Sequence, residues 1–485
     1  MVYKHGVYVS EVPTSIIPPV RTTAGLPFVV GTAPINLTDK TNVNKPVLCY
    51  SYQEAVEAFG YSDNWENYTL CEFIYSHFAL FNVAPVVLVN VLDPAVHKGS
   101  VTAEAHTFAA DNPAVVLSKQ GVLLDSVVVK SEDGTTTYVL DTDYTVGFDD
   151  DGNAAITRLE GGTIGKVSPI EVTYDYIDPT MVDSDDIIGG VDTVTGNYEY
   201  EGLELLDKVF PMFGLVPGMV LAPGWSHDPE VAAVMTAKAS NINAHFKCIA
   251  LTDVPVDEIT KYTDVSQWKN LNNYVSPRQV VCWPKIKLGD KEFHLSTQLA
   301  GVMCKTDAEN DDVPYVSPSN KNLQANSAVA GTNEVMLGPE QGAYLNGQGV
   351  VTALNFIGGW KAWGNRTGAY PSITDVKDTF IPIRRMFDWI GNTLVLTFWQ
   401  KVDYPITKRL VDTIIDSANI WLNGLAAREF ILGGRVEFLR DENPTTDLID
   451  GIIRFHVYVT PPAPAREIDF IVEYDPQYLE TLFAA

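Results

Sequence analysis

The chain has 485 residues, of which 46% are hydrophobic and 19% are charged, a composition typical of a folded protein with room for several domains. Acidic residues outnumber basic ones, 61 against 33, and the net charge of −28 disfavours binding to a phosphate backbone. Five widely spaced cysteines argue against a disulfide framework or a zinc site. Because no long apolar run or signal core is present, we expect a protein that folds in a cytoplasm and does not insert into a membrane.

The first residues predict an extended N-terminal arm over residues 1–20. The run YKHGVYVSEVP alternates with a period of two residues, as in a short strand. Three prolines between positions 13 and 19 then exclude a helix or a central strand. The side chains expected to make the contacts of this arm are Tyr3, Val7, Val9 and Val12.

Residues 21–93 predict the first part of an α/β region. A short buried strand is expected around Phe28 to Val30, followed by helices in YQEAVEAFG and ENYTLCEFIYSHFALF. The nearly continuous apolar run APVVLVNVLDP is typical of a strand that is buried on both faces.

Residues 94–186 predict an inserted β domain of the sandwich or barrel kind. The runs SVVVKSEDGTTTYVL and YTVGFDDDGNAAITRL indicate hairpins, and IEVTYDYIDP adds an alternating strand. From Asp141 to Asp186 there are 12 acidic and 2 basic residues, which favours an outward-facing surface. The Asp149–Asp150–Asp151 cluster is more typical of a solvated turn than of a calcium loop, since Ala154 stands where an EF-hand needs glycine.

The β/α alternation returns in residues 187–358. The strands MVLAPG, FKCIALTDVP and VVCWP alternate with the helices DPEVAAVMTAKAS and LSTQLAGVMCKTD, and Asp228 is a candidate N-cap with Pro229 in the first turn. This alternation predicts an α/β core with helices on the faces of its sheet.

Residues 359–465 predict an α+β C-terminal domain, and residues 466–485 a C-terminal arm. A long helix over PITKRLVDTIIDSANIWLNGLAARE precedes the strand RVEFLRD and two alternating strands, IRFHVYVTP and REIDFIVEYD. The side chains expected to make the contacts of the C-terminal arm are Ile468, Phe470, Val472 and Tyr474.

Motifs for catalysis or cofactor binding are not found. The sequence has no P-loop, GxSxG or HExxH, and GQGVVT lacks the third glycine of a dinucleotide site. Ser226 and His227 are adjacent, but a triad also needs an acid and an oxyanion hole. We therefore expect no enzyme activity, no cofactor and no metal site; the alternative is a hydrolase that uses Ser226, His227 or His245.

Both ends of the chain are alternating strand-formers on proline-containing tethers. Such a strand can add itself to an open sheet edge of another molecule, or it can pair within its own chain. Each exchanged strand would contribute about five backbone hydrogen bonds, each worth roughly 0.5–1.5 kcal/mol. One exchange is weak, whereas a lattice with two exchanges per subunit would be strong.

Several segments together resemble the contractile tail sheath proteins of bacteriophages and phage-tail-like bacteriocins. The segment WGNRTGAYP from Trp363 is followed by FIPIRRMFDWI from Phe380 and then by a long helix. The opening YKHGVYVSEVP, the closing GIIRFHVYVTPPAPAREIDFIVEYD and the loop SPSNKNL from Ser317 are also similar to segments of that family. The resemblance spans nearly the whole chain, and the β insertion is its least specific part.

The resemblance implies a structural subunit of a phage tail, or of a tail-like particle, that is assembled in the cytoplasm of a host bacterium. It implies a subtilisin-like α/β core without protease machinery. Sheath subunits form hexameric rings stacked helically around an inner tail tube protein, with baseplate and tail terminator proteins as further partners, and their arms exchange strands. Contraction then drives the tube through a cell envelope. Nucleic acid is not among the partners expected for the subunit.

The run GGWKAWGNRTGAYP is interpreted as a joint rather than a pocket. Trp360 and Trp363 are expected to anchor the C-terminal domain to the α/β core, and Arg366 to bind buried carbonyls or a carboxylate. Arg384 and Arg385 belong to the same predicted joint. The segment NPTTDLIDG is a candidate for contact with the tube. A secreted adhesin built on the β insertion is a third hypothesis, which the missing signal peptide disfavours.

Overall fold

The computed structural model describes residues 20–21, 24–149, 152–192 and 199–482. Its centre is a nine-stranded sheet whose six middle strands are parallel, while the remaining strands at its two ends run antiparallel to their neighbours. In spatial order the strands are Lys321–Asn322, Trp360–Trp363, Val350–Asn355, Gln279–Cys282, Ile249–Asp253, Met219–Leu221, Pro27–Gly31, Val86–Asn90 and Val47–Cys49.

Most of the predicted α/β elements are confirmed. The strand around Phe28 and the run Val86–Asn90 are fully buried in the sheet, as their apolar sequences require. Asp228 accepts the backbone N–H of Glu230 as N-cap, with Pro229 at the first helical position. The helices of this part are Tyr52–Phe59, Thr69–Ile74 with a π-helical continuation Tyr75–Leu80, Leu206–Phe213, Pro229–Ser240, Tyr262–Leu271, Leu295–Ala308 and Pro339–Gly347.

The acidic segment forms two three-stranded antiparallel sheets around a buried cluster of its own. One sheet contains Lys98–Thr107, Pro169–Ile177 and Val128–Ser131, and the other contains Ala114–Val116, Ala154–Arg158 and Tyr144–Phe148. The predicted hairpin of Tyr144–Phe148 with Ala154–Arg158 is confirmed by its register. The remaining predicted turn residues, Asp150 and Asp151, lie outside the described residues.

The C-terminal part is built around two helices and a small sheet. The helix Ile381–Phe398, here named the joint helix, is followed by Lys408–Ala427 and by the short helix Thr445–Ile449. The strands Gly433–Glu437 and His456–Thr460 pair with each other and form what we name the hairpin sheet. The joint helix contributes Ile381 to the core of the nine-stranded sheet and Met386 to the cluster beneath the hairpin sheet.

The mixed α/β architecture agrees with the predicted fold class at this level. The shorter strands and α-helices are Val20–Arg21 with Val83–Ala84, Ser184–Ile188, Val191–Asp192 with Glu199–Tyr200, Lys285–Leu288, Lys291–Phe293, Ser327–Ala330, Asn333–Glu334 and Val376–Thr379.

Candidate functional site

The C-terminal arm is exposed along its whole apolar stretch. Residues 461–475 form no helix and no strand, so the predicted strand REIDFIVEYD is absent from the single chain. The exposed fractions of Phe470, Ile471 and Val472 are 87%, 97% and 92%, and Ile468 and Tyr474 are exposed at 71% and 75%. A strand is stable only when its backbone groups find hydrogen-bond partners, and here the described chain offers none to this segment.

The N-terminal arm gives no corresponding observation. Its predicted contact residues Tyr3, Val7, Val9 and Val12 lie outside the described residues. The first described strand, Val20–Arg21, pairs in parallel with Val83–Ala84 beside the core.

The two tryptophans of the predicted joint belong to the core itself. Trp360–Trp363 is a strand of the nine-stranded sheet and pairs antiparallel with Val350–Asn355. Trp360 is buried in the core cluster, and Trp363 packs against that cluster while half-buried. The alternation in WKAW thus comes from a strand inside the sheet, between Lys321–Asn322 and Val350–Asn355. That the two tryptophans anchor the C-terminal domain stays a prediction.

Arg366 lies just after this strand and contacts aromatic rings. Its guanidinium stacks on Phe380 at 3.6 Å and on Tyr370 at 4.5 Å from the ring centroids, and Nη1 donates to Thr379 Oγ1 at 2.8 Å. Among the described residues its hydrogen-bond acceptor is thus a hydroxyl, not the carbonyl or carboxylate we expected. Burial lowers the pKa of Arg366, and the positive charge of Arg466 acts in the same direction.

Arg385 makes the most deeply buried ion pair that the structure describes. Its guanidinium holds both carboxylate oxygens of Asp307, with Nη1 at 3.0 Å from Oδ1 and Nη2 against Oδ2. Asp307 lies in the last turn of the helix Leu295–Ala308, which packs on the nine-stranded sheet. Burial raises the pKa of Asp307, and the guanidinium of Arg385 opposes that rise. This fork fastens the joint helix to the core.

A second set of ion pairs lies beside the first. Arg384 donates to Asp378 at 3.0 Å and to Asp388 at 2.8 Å, one turn further along the joint helix. Asp388 also accepts a hydrogen bond from Arg278 at 2.7 Å. Arg278 lies immediately before the strand Gln279–Cys282. The two arginines of the predicted joint therefore have three carboxylate partners, of which Asp307 and Asp388 are buried and Asp378 is half-buried.

Sequence reasoning named Arg384 and Arg385 but not the carboxylates that they contact, Asp307, Asp378 and Asp388, nor Arg278, which also donates to Asp388. Asp307 ends an apolar helix pattern, where an acidic residue is ordinarily solvated. Its partner follows 78 residues later, a separation that no local pattern encodes.

The residues of the hydrolase alternative do not form a triad. Ser226 is buried, and its Oγ donates directly to Asp253 Oδ2 at 3.2 Å while accepting the Asp253 N–H at 3.1 Å. His227 and His245 are exposed, and the His245 ring packs edge-on against Trp399. In a catalytic triad a histidine lies between the serine and the acid and activates the serine. Here Asp253 contacts Ser226 directly, so no histidine can take that position.

Metal and membrane sites were also sought in the part of the chain that the structure describes. No group of three or more His, Cys, Asp or Glu side chains there could hold a metal ion. In the same ranges, every helix is too short or too polar to cross a bilayer. All five cysteines are buried thiols.

Comparison with known proteins agrees with this picture. A family model described as "Protein of unknown function UCP028589" matches residues 72–183. The tail sheath protein of Burkholderia phage BcepMu is 30% identical over 493 residues, covering 99% of this chain and 98% of that protein. Two solved structures share the fold. A chain of the anti-feeding prophage baseplate has a TM-score of 0.59 and 16% sequence identity, covering 98% of this chain and 100% of that one. A chain of the contracted sheath complex of the PVC extracellular contractile injection system has a TM-score of 0.57 and 14% identity, covering 99% of each chain.

The full-length phage relative is a tail sheath protein, which places this chain among structural proteins rather than enzymes. The full-length similarity to the phage protein goes further: the chain belongs to the family of tail sheath proteins. The hydrolase alternative has no support in these comparisons.

Proposed function

We propose that this tail sheath subunit polymerises into hexameric rings stacked helically around an inner tube, and that the assembly contracts to drive the tube through a cell envelope. The observation that carries the proposal is the run of exposed apolar residues from Ile468 to Tyr474. A soluble monomer gains nothing from such a run, whereas a neighbouring copy could bury it.

The acceptor for the arm is the hairpin sheet of the next copy. The edge formed by Gly433–Glu437 is already occupied at Val436, because Asn419 accepts the Val436 N–H at 2.8 Å and donates to the Val436 carbonyl at 3.2 Å. On the other side, no strand among the described residues pairs with the outer edge of His456–Thr460. Added there, a five-residue strand Ile468–Val472 would match the acceptor in length.

Apolar side chains next to this edge give the arm a surface to cover. A cleft of about 640 Å³ lies between the joint helix, the helix Lys408–Ala427 and the hairpin sheet. Its lining includes Phe398, Val402, Ile414 and Phe455. Burial of one large apolar side chain contributes roughly 1.5–3 kcal/mol, which adds to the backbone hydrogen bonds of strand exchange.

Contraction by rigid-body movement requires that each subunit keep its shape. The buried fork of Arg385 on Asp307 and the contacts of Arg384 would hold the C-terminal domain, proposed as residues 359–465, against the α/β core of residues 21–93 and 187–358. The arms, residues 1–20 and 466–485, would then connect neighbouring subunits of the mesh.

The other surfaces are assigned by charge and position. The acidic β domain of residues 94–186 would face outward, away from the tube. Its cluster of buried side chains is separate from that of the nine-stranded sheet, which fits a peripheral unit. The segment around the helix Thr445–Ile449, with Ile449 exposed at 82%, is our candidate for the tube contact. Baseplate and terminator proteins would close the two ends of the tail.

Negative-stain microscopy of the purified chain tests this function. Hollow cylinders with sixfold end views are expected, alone or after addition of the tube protein from the same particle. Monodisperse particles under all these conditions would contradict the proposal. A variant that lacks residues 94–186, bridged by Gly-Ser, should still form cylinders, since that domain is placed outside the mesh.

A further inference from the structure

Three segments that carry the sheath resemblance meet at one groove of about 600 Å³. They are the loop from Ser317, the run from Trp363 to Tyr370 and the middle of the closing segment, Pro462–Arg466. Two of them are joined by a hydrogen bond from the Gly364 N–H to Ser319 Oγ at 3.0 Å. The ion pairs of the joint helix do not involve this groove.

The groove is cationic in a strongly acidic protein. Lys321, Arg366 and Arg466 line it, and no Asp or Glu belongs to the lining that the structure describes. We name it the cationic groove. The structure gives Arg366 one hydrogen bond, to Thr379, although a guanidinium has five N–H donors. Arg466 pairs with its sequence neighbour Glu467 at 2.9 Å, in solvent. Positive charges gathered in this way favour an anionic partner.

The strand exchange proposed above decides which anion reaches the groove. The acceptor strand ends at Thr460, and the groove lining begins two residues later at Pro462. An incoming arm that runs parallel to His456–Thr460 would place Glu473 and Asp475 just beyond Thr460. An antiparallel arm would instead bring a second Arg466 to a groove that already holds three cations, so the charges favour the parallel orientation.

We propose that the cationic groove of one copy binds the carboxylates of Glu473 and Asp475 from the C-terminal arm of a second copy. This inference rests on the strand exchange under the proposed function and adds the direction of the incoming strand and an ionic clamp at its end. Both carboxylates are exposed in the single chain, and Asp475 accepts one hydrogen bond, from the Gln477 N–H to Oδ1 at 2.9 Å, which leaves Oδ2 for this contact.

Disulfide trapping tests the clamp directly. The five native cysteines are buried, so introduced cysteines supply the reactive thiols. Chains carrying Lys321→Cys and chains carrying Asp475→Cys are mixed, assembled into cylinders and oxidised; dimers that contain one chain of each kind are expected. The matched control replaces Lys321→Cys by Lys166→Cys, at an exposed site of the β domain, and should give none. Cylinders without the mixed dimer, or with equal yield in the control, would overturn the clamp.

Charge reversal gives a second readout. The variant Lys321→Glu/Arg466→Glu and the variant Glu473→Lys/Asp475→Lys should each raise the critical concentration for assembly about threefold to tenfold at low salt, and their equimolar mixture should recover part of the loss. The effect should shrink as salt rises. No change in either variant would overturn the clamp while cylinders still form; failure of the unmodified chain to form cylinders would instead overturn the proposed function.

Discussion

The joint helix and the C-terminal arm have similar local patterns and opposite surroundings. Both mix apolar residues with charged ones at short spacing, FIPIRRMFDWI in one case and REIDFIVEYD in the other. In the joint helix the charged Arg385 is 4% exposed and its carboxylate partner is inside the same chain. In the arm the apolar Ile471 is 97% exposed.

This difference shows where each segment finds its partners. A buried ion pair is tolerated only when its geometry is satisfied, so the joint helix is completed by the subunit alone. An exposed apolar run is tolerated when another molecule covers it. Substitutions in the two regions should therefore have opposite signatures: a loss of stability for the joint and a loss of assembly for the arm.

The largest effect on stability is expected at the joint. Arg385→Met leaves the carboxylate of Asp307 buried without its partner, and we expect the free energy of unfolding to fall by about 3–5 kcal/mol. Chemical denaturation of the variant, followed by fluorescence or circular dichroism, measures this loss. Because removal of both charges avoids the unpaired group, Arg385→Met/Asp307→Leu should recover most of it.

A surface pair provides the matched control for that prediction. Lys40 pairs with Asp125 at 2.7 Å, and the two side chains are 36% and 74% exposed. Lys40→Met should therefore cost less than about 1 kcal/mol. Equal losses for Lys40→Met and Arg385→Met would mean that the buried fork does not hold the joint.

The next effect concerns His77, which is buried in the core on the π-helical segment. Burial lowers its pKa to about 3. In the unfolded chain the ring takes up a proton below its ordinary pKa of about 6.5, whereas in the folded chain it stays neutral until about 3, so stability falls as the pH falls through this window. We expect a loss of about 2 kcal/mol between pH 7.5 and pH 5 from this residue.

The variant His77→Leu should lack this component. Unfolding curves of the two proteins at both pH values give the difference, and the other histidines contribute equally to each. An identical pH dependence in the variant would show that His77 is protonated in the folded protein.

A smaller effect is expected at Arg366. The variant Arg366→Met loses the hydrogen bond to Thr379 and the cation–π contacts, while its stem can still cover Phe380. The free energy of unfolding should fall by about 1–2 kcal/mol. A loss as large as that of Arg385→Met would place Arg366 in the joint, as its sequence position suggests.

Local sequence patterns predicted those elements that need only a kind of surrounding, such as a covered sheet, and not one particular partner residue. The strand Val86–Asn90 needs only a sheet with two covered faces, and Asp228 caps the helix that begins beside it. The patterns could not predict which carboxylate receives Arg385, since that choice depends on packing between distant helices. They also predicted a strand in the arm that the single chain does not form. An alternating apolar pattern favours a paired strand, but it does not say whether the partner strand belongs to the same chain.

One measurement tests the central claim that the arm serves another copy. A chain truncated after Arg466 is compared with the full chain by thermal melting and by sedimentation under assembly conditions. Since the apolar side chains from Ile468 to Tyr474 are 71–97% exposed in the single chain, we predict a cooperative melt at an unchanged Tm together with complete loss of cylinders. A truncated chain that still forms cylinders, or one that melts earlier or aggregates as a monomer, would contradict this account.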